Sequence, residues 1–435
     1  MSVKRVEKLH ITPLNSQDTY SFKKGNPIIN FQIENDGILE GRSTYLHFKL
    51  RVNTQTGNLP DNNGNVSGVA NSITINERIG LLGVVERVNV SELKSNQTIE
   101  SRINVGREKA TRLPSSHSKD EYLSSLSSKL LVAPRNSITG NYVNREISCS
   151  IPLHEISGIM TQEIPVSNLP LMISIQLASD EQFLQASAAN NLAYYEIKSP
   201  FLTTDLLILE CEDQEKLDKQ GSLQLNFETV SSIYNVQNSS NSTTNLNWGL
   251  SRVKSVFTNL IPTNETNNIS VDSFKTSEIK TGANYAADAE LNRVLFTRGA
   301  LPFPIEDELE VLVQSQENNP IVPVLKNGLT SIVPYNKLRH HMVDLATQNG
   351  KSTDLTSNGV KISDISSIAT TDKKPVFTLG VDLDSLNDQG VDFKNTTCGL
   401  RLDSNTDGQS PMGLYSFAIN KNTLLVNKQG VQVIA

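Results

Sequence analysis

Val376-Phe377-Thr378-Leu379-Gly380-Val381-Asp382-Leu383, Gly399-Leu400-Arg401-Leu402, Leu414-Tyr415-Ser416-Phe417-Ala418-Ile419 and Thr423-Leu424-Leu425-Val426-Asn427-Lys428-Gln429-Gly430-Val431-Gln432-Val433-Ile434 follow one another at the C-terminal end. They are short apolar or alternating runs broken by Asn, Asp and Gly. That is how packed antiparallel strands read, and helices do not read that way. The sequence stops one residue after Ile434, so its last segment is expected to be pinned in a sheet and not frayed.

The same pattern runs outward to the N-terminus. Pro27 to Ile33 alternates. Ser43 to Val52 alternates cleanly, with Tyr45, His47, Lys49 and Arg51 on one face and Leu46, Phe48, Leu50 and Val52 on the core face. Ile79 to Val90 reads as a buried strand approached through glycines, and Glu146 to Leu153, Leu171 to Leu177 and Phe201 to Glu210 as three more. A charged segment, Cys211 to Gly221, is the best candidate for a domain boundary or a short helix at one. Strands resume with Ser222 to Phe227 and with Leu246 to Leu260, which holds the one Trp. Helical spacing is confined to Ser118–Leu131, with Ser118 and Glu121 as a capping box, and to Pro334–Ala346. Polar stretches at 53–71, 235–245, 264–288 and 352–367 read as loops.

Composition agrees with an all-β chain. The 435 residues exceed one ordinary core and suit two domains of roughly 200 residues each, 1–210 and 211–435. Only 37% of residues are hydrophobic and 20% charged, so Ser, Thr, Asn and Gln fill exposed strand faces and loops. A formal net charge of −7 argues against a protein that wraps nucleic acid, which needs a phosphate-neutralising field. No apolar run reaches the roughly 20 residues of a bilayer span, and Met1 to Lys8 has basic residues without the apolar segment of a secretory signal.

The residues that could carry chemistry form no complete motif. Cys149, Cys211 and Cys398 are too widely spaced for a metal cluster and odd in number for a disulfide framework, so buried reduced thiols are expected. Gly350-Lys351-Ser352 copies the end of a phosphate-binding loop, but Leu345 stands where its first Gly belongs. Of His10, His47, His117, His154, His340 and His341, only the last two are adjacent, and neighbours on a helix do not share a face for a metal. His154-Glu155 has nothing nearby to complete a catalytic pair, and Asp382 with Asp384 suits a turn better than a carboxylate dyad. Lys4, Arg5 and Lys8 form a small basic arm suited to docking a partner. Asn-x-Ser/Thr triplets begin at Asn65, Asn89, Asn96, Asn238, Asn241, Asn264, Asn268 and Asn395, a by-product of composition in a chain without a signal. No catalytic, cofactor-binding or metal residue is therefore expected.

One resemblance adds to this reading. Leu250-Ser251-Arg252-Val253-Lys254-Ser255-Val256-Phe257-Thr258-Asn259-Leu260 resembles a segment in the second jelly roll of major capsid proteins of Polinton-like viruses, adintoviruses and their relatives. Leu301-Pro302-Phe303-Pro304-Ile305 looks like a proline-containing element of that family, followed by an acidic, helix-like stretch from Glu306 to Val313. Val381-Asp382-Leu383-Asp384, Gly390-Val391-Asp392-Phe393, Gly399 to Leu402 and the closing Leu425 to Val433 follow in the family's order. The resemblance covers residues 246–435 and is thin before them.

It implies a double jelly roll, two eight-stranded β-sandwiches side by side with short helices in the connections. It also implies a homotrimer that looks hexagonal, residence in an icosahedral virion shell, and contacts with neighbouring capsomers, penton and minor capsid or cement proteins. The loops 53–71, 235–245 and 264–288 would be tower or rim loops, and no enzymatic activity or sequence-specific nucleic acid is implied. A carbohydrate-binding sandwich is the alternative, disfavoured by 6% aromatics. A receptor-binding spike is another, disfavoured by the lack of repeats.

Overall fold

The computed structural model describes residues 3–53, 73–75, 80–116, 146–186, 193–219, 222–237, 241–269, 277–278, 290–302, 309–316, 319–326, 376–377, 379–382, 390–405, 411–427 and 430–434. The first half contributes eight main strands: β1 (Val3–Ile11), β2 (Ile28–Ile33), β3 (Ile38–Asn53), β4 (Val85–Glu92), β5 (Thr98–Ile103), β6 (Glu146–Pro152), β7 (Leu171–Leu177) and β8 (Tyr194–Leu209). They form two antiparallel sheets in the orders β1-β8-β3-β6 and β2-β7-β4-β5. This is the strand order of a jelly roll.

The inner faces are set by period-two alternation. Leu46, Phe48 and Leu50 of β3 and Ile29, Phe31, Ile173 and Ile175 of the opposite sheet are buried in one cluster, while Lys49 is exposed. A hydroxyl pair, Thr44 Oγ1 and Thr204 Oγ1 at 2.8 Å, crosses from β3 to β8 within this buried layer.

The second half repeats the plan. Its strands are β9 (Ser222–Gln237), β10 (Asn241–Leu246), β11 (Val253–Pro262), β12 (Glu290–Arg298), β13 (Leu309–Gln316), β14 (Leu379–Asp382), β15 (Cys398–Asn405) and β16 (Met412–Asn427), with β17 (Gly430–Ile434) added beside β16. The sheet orders are β9-β16-β11-β14 and β10-β15-β12-β13, the latter extended by Asn319–Lys326. Each strand of the first sandwich thus corresponds to the strand eight later in the second. Thr258 Oγ1 and Ser416 Oγ, 3.1 Å apart on β11 and β16, reproduce the buried hydroxyl pair. Among the described residues no strand pairing joins a strand before Glu210 to one after it. Two helices are α1 (Val105–Ser116) and, in the charged segment between the halves, α2 (Cys211–Lys219).

Several expectations need correction. Ile79–Val90 is not a strand throughout, because Gly80–Val84 is a buried 3₁₀ turn that delivers the chain into β4. Of the stretch Glu306–Val313, expected to be helix-like, the described residues Leu309–Val313 are strand. Leu309, Val311 and Val313 alternate, and β13 pairs with β12 and with Asn319–Lys326. The stretch 235–245 is no long loop, since β9 runs to Gln237 and β10 starts at Asn241. The N-terminal arm is an edge strand, β1, paired with β8 from Val3↔Leu209 to Ile11↔Leu202. Helix α1 was unforeseen. The segments 118–131, 334–346 and 352–367, with loop residues 54–71, lie outside the described residues.

One buried acid makes the first sandwich pH-sensitive. Asp180 Oδ1 accepts the Tyr195 N–H at 2.9 Å beneath the Phe183–Tyr195 ring pair, and burial raises its pKa to about 6. An unfolded Asp titrates near about 4, so between these values the native state holds the extra proton, and stability falls as pH rises through that window. Asp180→Asn abolishes this titration. Its stability relative to the wild type is expected to rise by on the order of 2 kcal/mol from about pH 4 to pH 7 in urea unfolding. A pH-independent difference would refute the assignment.

Candidate functional site

The residues with the most demanding geometry lie where the two sandwiches meet. Glu100, on β5, is 2% exposed and accepts four hydrogen bonds. Ser157 Oγ donates at 2.6 Å, the Gly158 N–H at 2.9 Å, the Ile159 N–H at 3.2 Å, and Thr229 Oγ1, on β9 of the other sandwich, at 2.5 Å. A carboxylate is the right group here, because it is acceptor-only and can serve four donors at once. Beside it the backbones touch so closely that a Cβ on Gly158 would lie 1.7 Å from the Glu228 carbonyl oxygen. Only glycine fits.

Helix α1 carries the seam further. Arg107, 2% exposed, stacks its guanidinium 4.2 Å from the Tyr415 ring centroid on β16. Asn259 Nδ2 on β11 is 3.5 Å from Thr111 Oγ1, and Asn104 Nδ2 donates to Ser232 Oγ on β9 at 3.0 Å. A buried ion pair, Arg102 on β5 to Glu108 on α1 at 2.8 Å, ties the helix to the strand before it. Arg107 moderates Glu86, whose carboxyl is pushed up by burial. The apolar cluster of the first sandwich is continuous with Phe227, Leu424, Val426 and Val431 of the second. On the outer face of β9-β16-β11-β14, Tyr415, Asn259 and Ser232 thus meet residues of the first sandwich.

On the corresponding outer face of the first sandwich Tyr45 and His10 are exposed among the described residues. A ladder of rings crosses it: Tyr45 to His47 at 6.2 Å between centroids, His47 to Phe201 at 4.9 Å, and Phe201 to His10 at 4.3 Å. His47 Nε2 lies 2.7 Å from Thr203 Oγ1, and its pKa is lowered by partial burial and by the nearby His10 and Lys8 charges. A bulge at Ser199, φ 46°, and Pro200 bends β8 beside the ladder. There a cleft of about 680 Å³ opens, lined by residues including Gln17, Asp18, Lys49, Ser148 and Cys149.

Residues singled out from sequence are scattered. His154 Nε2 is 3.8 Å from Glu155 Oε1, whose other oxygen pairs with Lys109 Nζ at 3.2 Å, which makes this a structural ion cluster. Lys4, Arg5 and Lys8 are exposed along β1, and Arg5 pairs with Glu7 at 2.5 Å. Asp382 ends β14. Asp384, His117, His340, His341 and Gly350-Lys351-Ser352 lie outside the described residues. The three thiols are not in disulfides. Burial pushes Cys149 and Cys398 up to about 12, and Cys211 is exposed. Among the described residues no group of three His, Cys, Asp or Glu side chains is placed to hold a metal. Glu100, Arg107, Gly158 and Tyr415 have no sequence signal, because each is defined by what the other sandwich brings to it.

Two jelly rolls of one topology, packed side by side, make the chain a double jelly roll. No protein-family model and no curated protein matches its sequence. Its structure is similar to VP54 of PBCV-1, as fitted into a reconstruction of the virophage Sputnik, with a TM-score of 0.59 and 10% identity over 100% of this chain and 98% of that one. It is also similar to the Faustovirus major capsid protein, with a TM-score of 0.53 and 11% identity over 97% and 90%. A third likeness is to a chain of the Sputnik virophage particle, with a TM-score of 0.53 and 10% identity over 100% and 89%. At such identities the likeness establishes the fold.

Proposed function

We propose that this chain is a major capsid protein, the structural subunit of the icosahedral shell of a double-stranded DNA virus. Its two jelly rolls, 1–210 and 211–435, form a homotrimer whose six sandwiches give a pseudo-hexameric capsomer. Neighbouring capsomers, penton and minor capsid or cement proteins are its partners, and the virion shell is its location. Its role is architectural, not enzymatic.

The observation that carries this reading is end-to-end similarity to capsid proteins at double jelly-roll scale, with almost no unmatched chain on either side. The duplicated strand plan and the rigid polar seam support it. A subunit that supplies two of six equivalent walls needs two similar sandwiches held in one orientation. The β11 segment Leu250–Leu260 and the C-terminal strand order favour kinship with Polinton-like viruses and adintoviruses.

Light scattering after size exclusion is the test. A stable species at about three times the 47.8 kDa chain mass is expected, with hexagonal particles in electron micrographs. A clean monomer at micromolar concentration would overturn the proposal.

A further inference from the structure

Strand β1 is lightly fastened to its sheet. Among the described residues it pairs with β8 alone, and a register shift between Val3 and Arg5 interrupts that ladder. Leu9 and Ile11, both partly buried, pack it onto the core of the first sandwich, while Val3 and Val6 are exposed. An edge strand held in this way opens at lower cost than the strands inside the sheet.

A stack of three rings adds to that hold. His10, on β1, lies on Phe201 of β8 at 4.3 Å between centroids and 22° between planes. His47, on β3, lies on the same ring at 4.9 Å and 22°. One phenyl ring thus joins two imidazoles that come from the strands on either side of β8. A single imidazolium against an aromatic face is favourable, but two that share one ring repel each other.

The charges around His47 come from several elements. Strand β1 supplies Lys8 and His10, and β3 supplies Lys49. Strand β8 supplies Asp205, in register with Lys8, and the segment after β1 supplies Asp18 at the cleft. Glu146 of β6 is engaged by Lys198 at 2.8 Å and by Lys49 at 3.6 Å. Cys149, also at the cleft, is a neutral thiol. Among the described residues His47 has no carboxylate partner. Its Nε2 meets Thr203 Oγ1 at 2.7 Å, and burial, with the His10 and Lys8 charges, disfavours its protonated form. A base so placed stabilises the closed strand while it is neutral. That contribution is present above the ordinary histidine value near 6.5 and is lost as pH falls below it. Asp180 titrates with the opposite sign, since there the native state holds the extra proton.

We propose that the His10–Phe201–His47 stack is an acid-sensitive clasp, and that protonation of its two imidazoles releases β1 from β8 while the rest of the first sandwich stays folded. The released segment carries Lys4, Arg5 and Lys8, so acid turns a paired strand into a free basic arm. The clasp is made of contacts within one chain and stands apart from the capsid reading.

Hydrogen exchange of the full chain, read by mass spectrometry as protection factors at pH 7.5 and pH 5.5, tests it. Protection of residues 3–11 is expected to fall about tenfold at the lower pH, while that of the central strand β7 does not fall. In the double variant His10→Gln, His47→Gln the protection of β1 is expected to be the same at both pH values. Equal protection of wild-type β1 at the two pH values would overturn the clasp. So would a fall that persists in the double variant, because it would assign the titration to other groups. Should the double variant fail to fold, His10→Gln alone decides. It removes one of the two charges, so the pH at which β1 opens is expected to drop, and an unchanged opening pH would refute the proposal.

Discussion

Glu100→Ala is expected to lower the stability of the chain by about 3–5 kcal/mol, the range seen when one side of a buried charged network is removed. The substitution strands the Gly158 and Ile159 N–H groups, 2.9 and 3.2 Å from the lost carboxylate, in a site that water does not reach. It also removes the bond from Thr229, so part of the loss falls on the contact between sandwiches. Calorimetry should therefore show a lower melting temperature and a transition that broadens or splits as the two halves unfold less cooperatively. Glu100→Gln keeps the shape but turns an amide toward donors, so an intermediate loss is expected. Thr229→Val deletes only the crossing bond, for about 1–3 kcal/mol. Melting of E100A indistinguishable from that of the wild type would show that the carboxylate does not organise the seam.

Gly158→Ala is expected to cost about 3 kcal/mol or more, at or beyond the upper end of overpacking substitutions. The reason is the identity of the obstacle. The new methyl would meet the Glu228 carbonyl oxygen at 1.7 Å, and that oxygen belongs to the backbone of a paired strand, not to a flexible side chain. Relief requires one sandwich to move relative to the other. Motion at that point disturbs the Glu100 bonds and the Arg107–Tyr415 stack together. Two readouts separate this from ordinary destabilisation: faster proteolysis at the Cys211–Lys219 connection, and loss of the proposed capsomer assembly by protein that still melts cooperatively. If G158A assembles and melts as the wild type does, the close approach is not rigid. Both substitutions act on the orientation of the sandwiches, and a six-walled capsomer requires that orientation to be constant.

Much of the strand content was legible because strand faces are a local property. Tyr45, His47 and Lys49 face outward and Leu46, Phe48 and Leu50 inward for the plain reason that side chains alternate and one side of a sheet meets the core. Helix α1 was missed because its first turns, Arg107-Glu108-Lys109, look like solvated surface, yet all three are buried, Arg107 against Tyr415 of the second sandwich and Glu108 and Lys109 in ion pairs with Arg102 and Glu155 of the first. No apolar stripe marks a helix whose partners are polar. Glu306–Val313 misled for the opposite reason. Its charges suggested a helix, while the alternation of Leu309, Val311 and Val313 needed a neighbouring strand before it could decide the matter. The seam residues and the ring ladder were illegible, since Glu100, Gly158 and Phe201 look ordinary one at a time.

By itself, then, the sequence determined that this is an all-β chain of two strand-rich halves, because hydrophobic alternation and turn residues act over a few neighbouring positions. The tertiary structure alone decided that the halves share one strand plan, since pairing order is a property of contacts far apart in the chain and not of residue identity. It alone decided that a buried carboxylate and a glycine join the halves, because the donors for Glu100 and the oxygen that excludes a side chain at Gly158 come in part from more than a hundred and from seventy positions away.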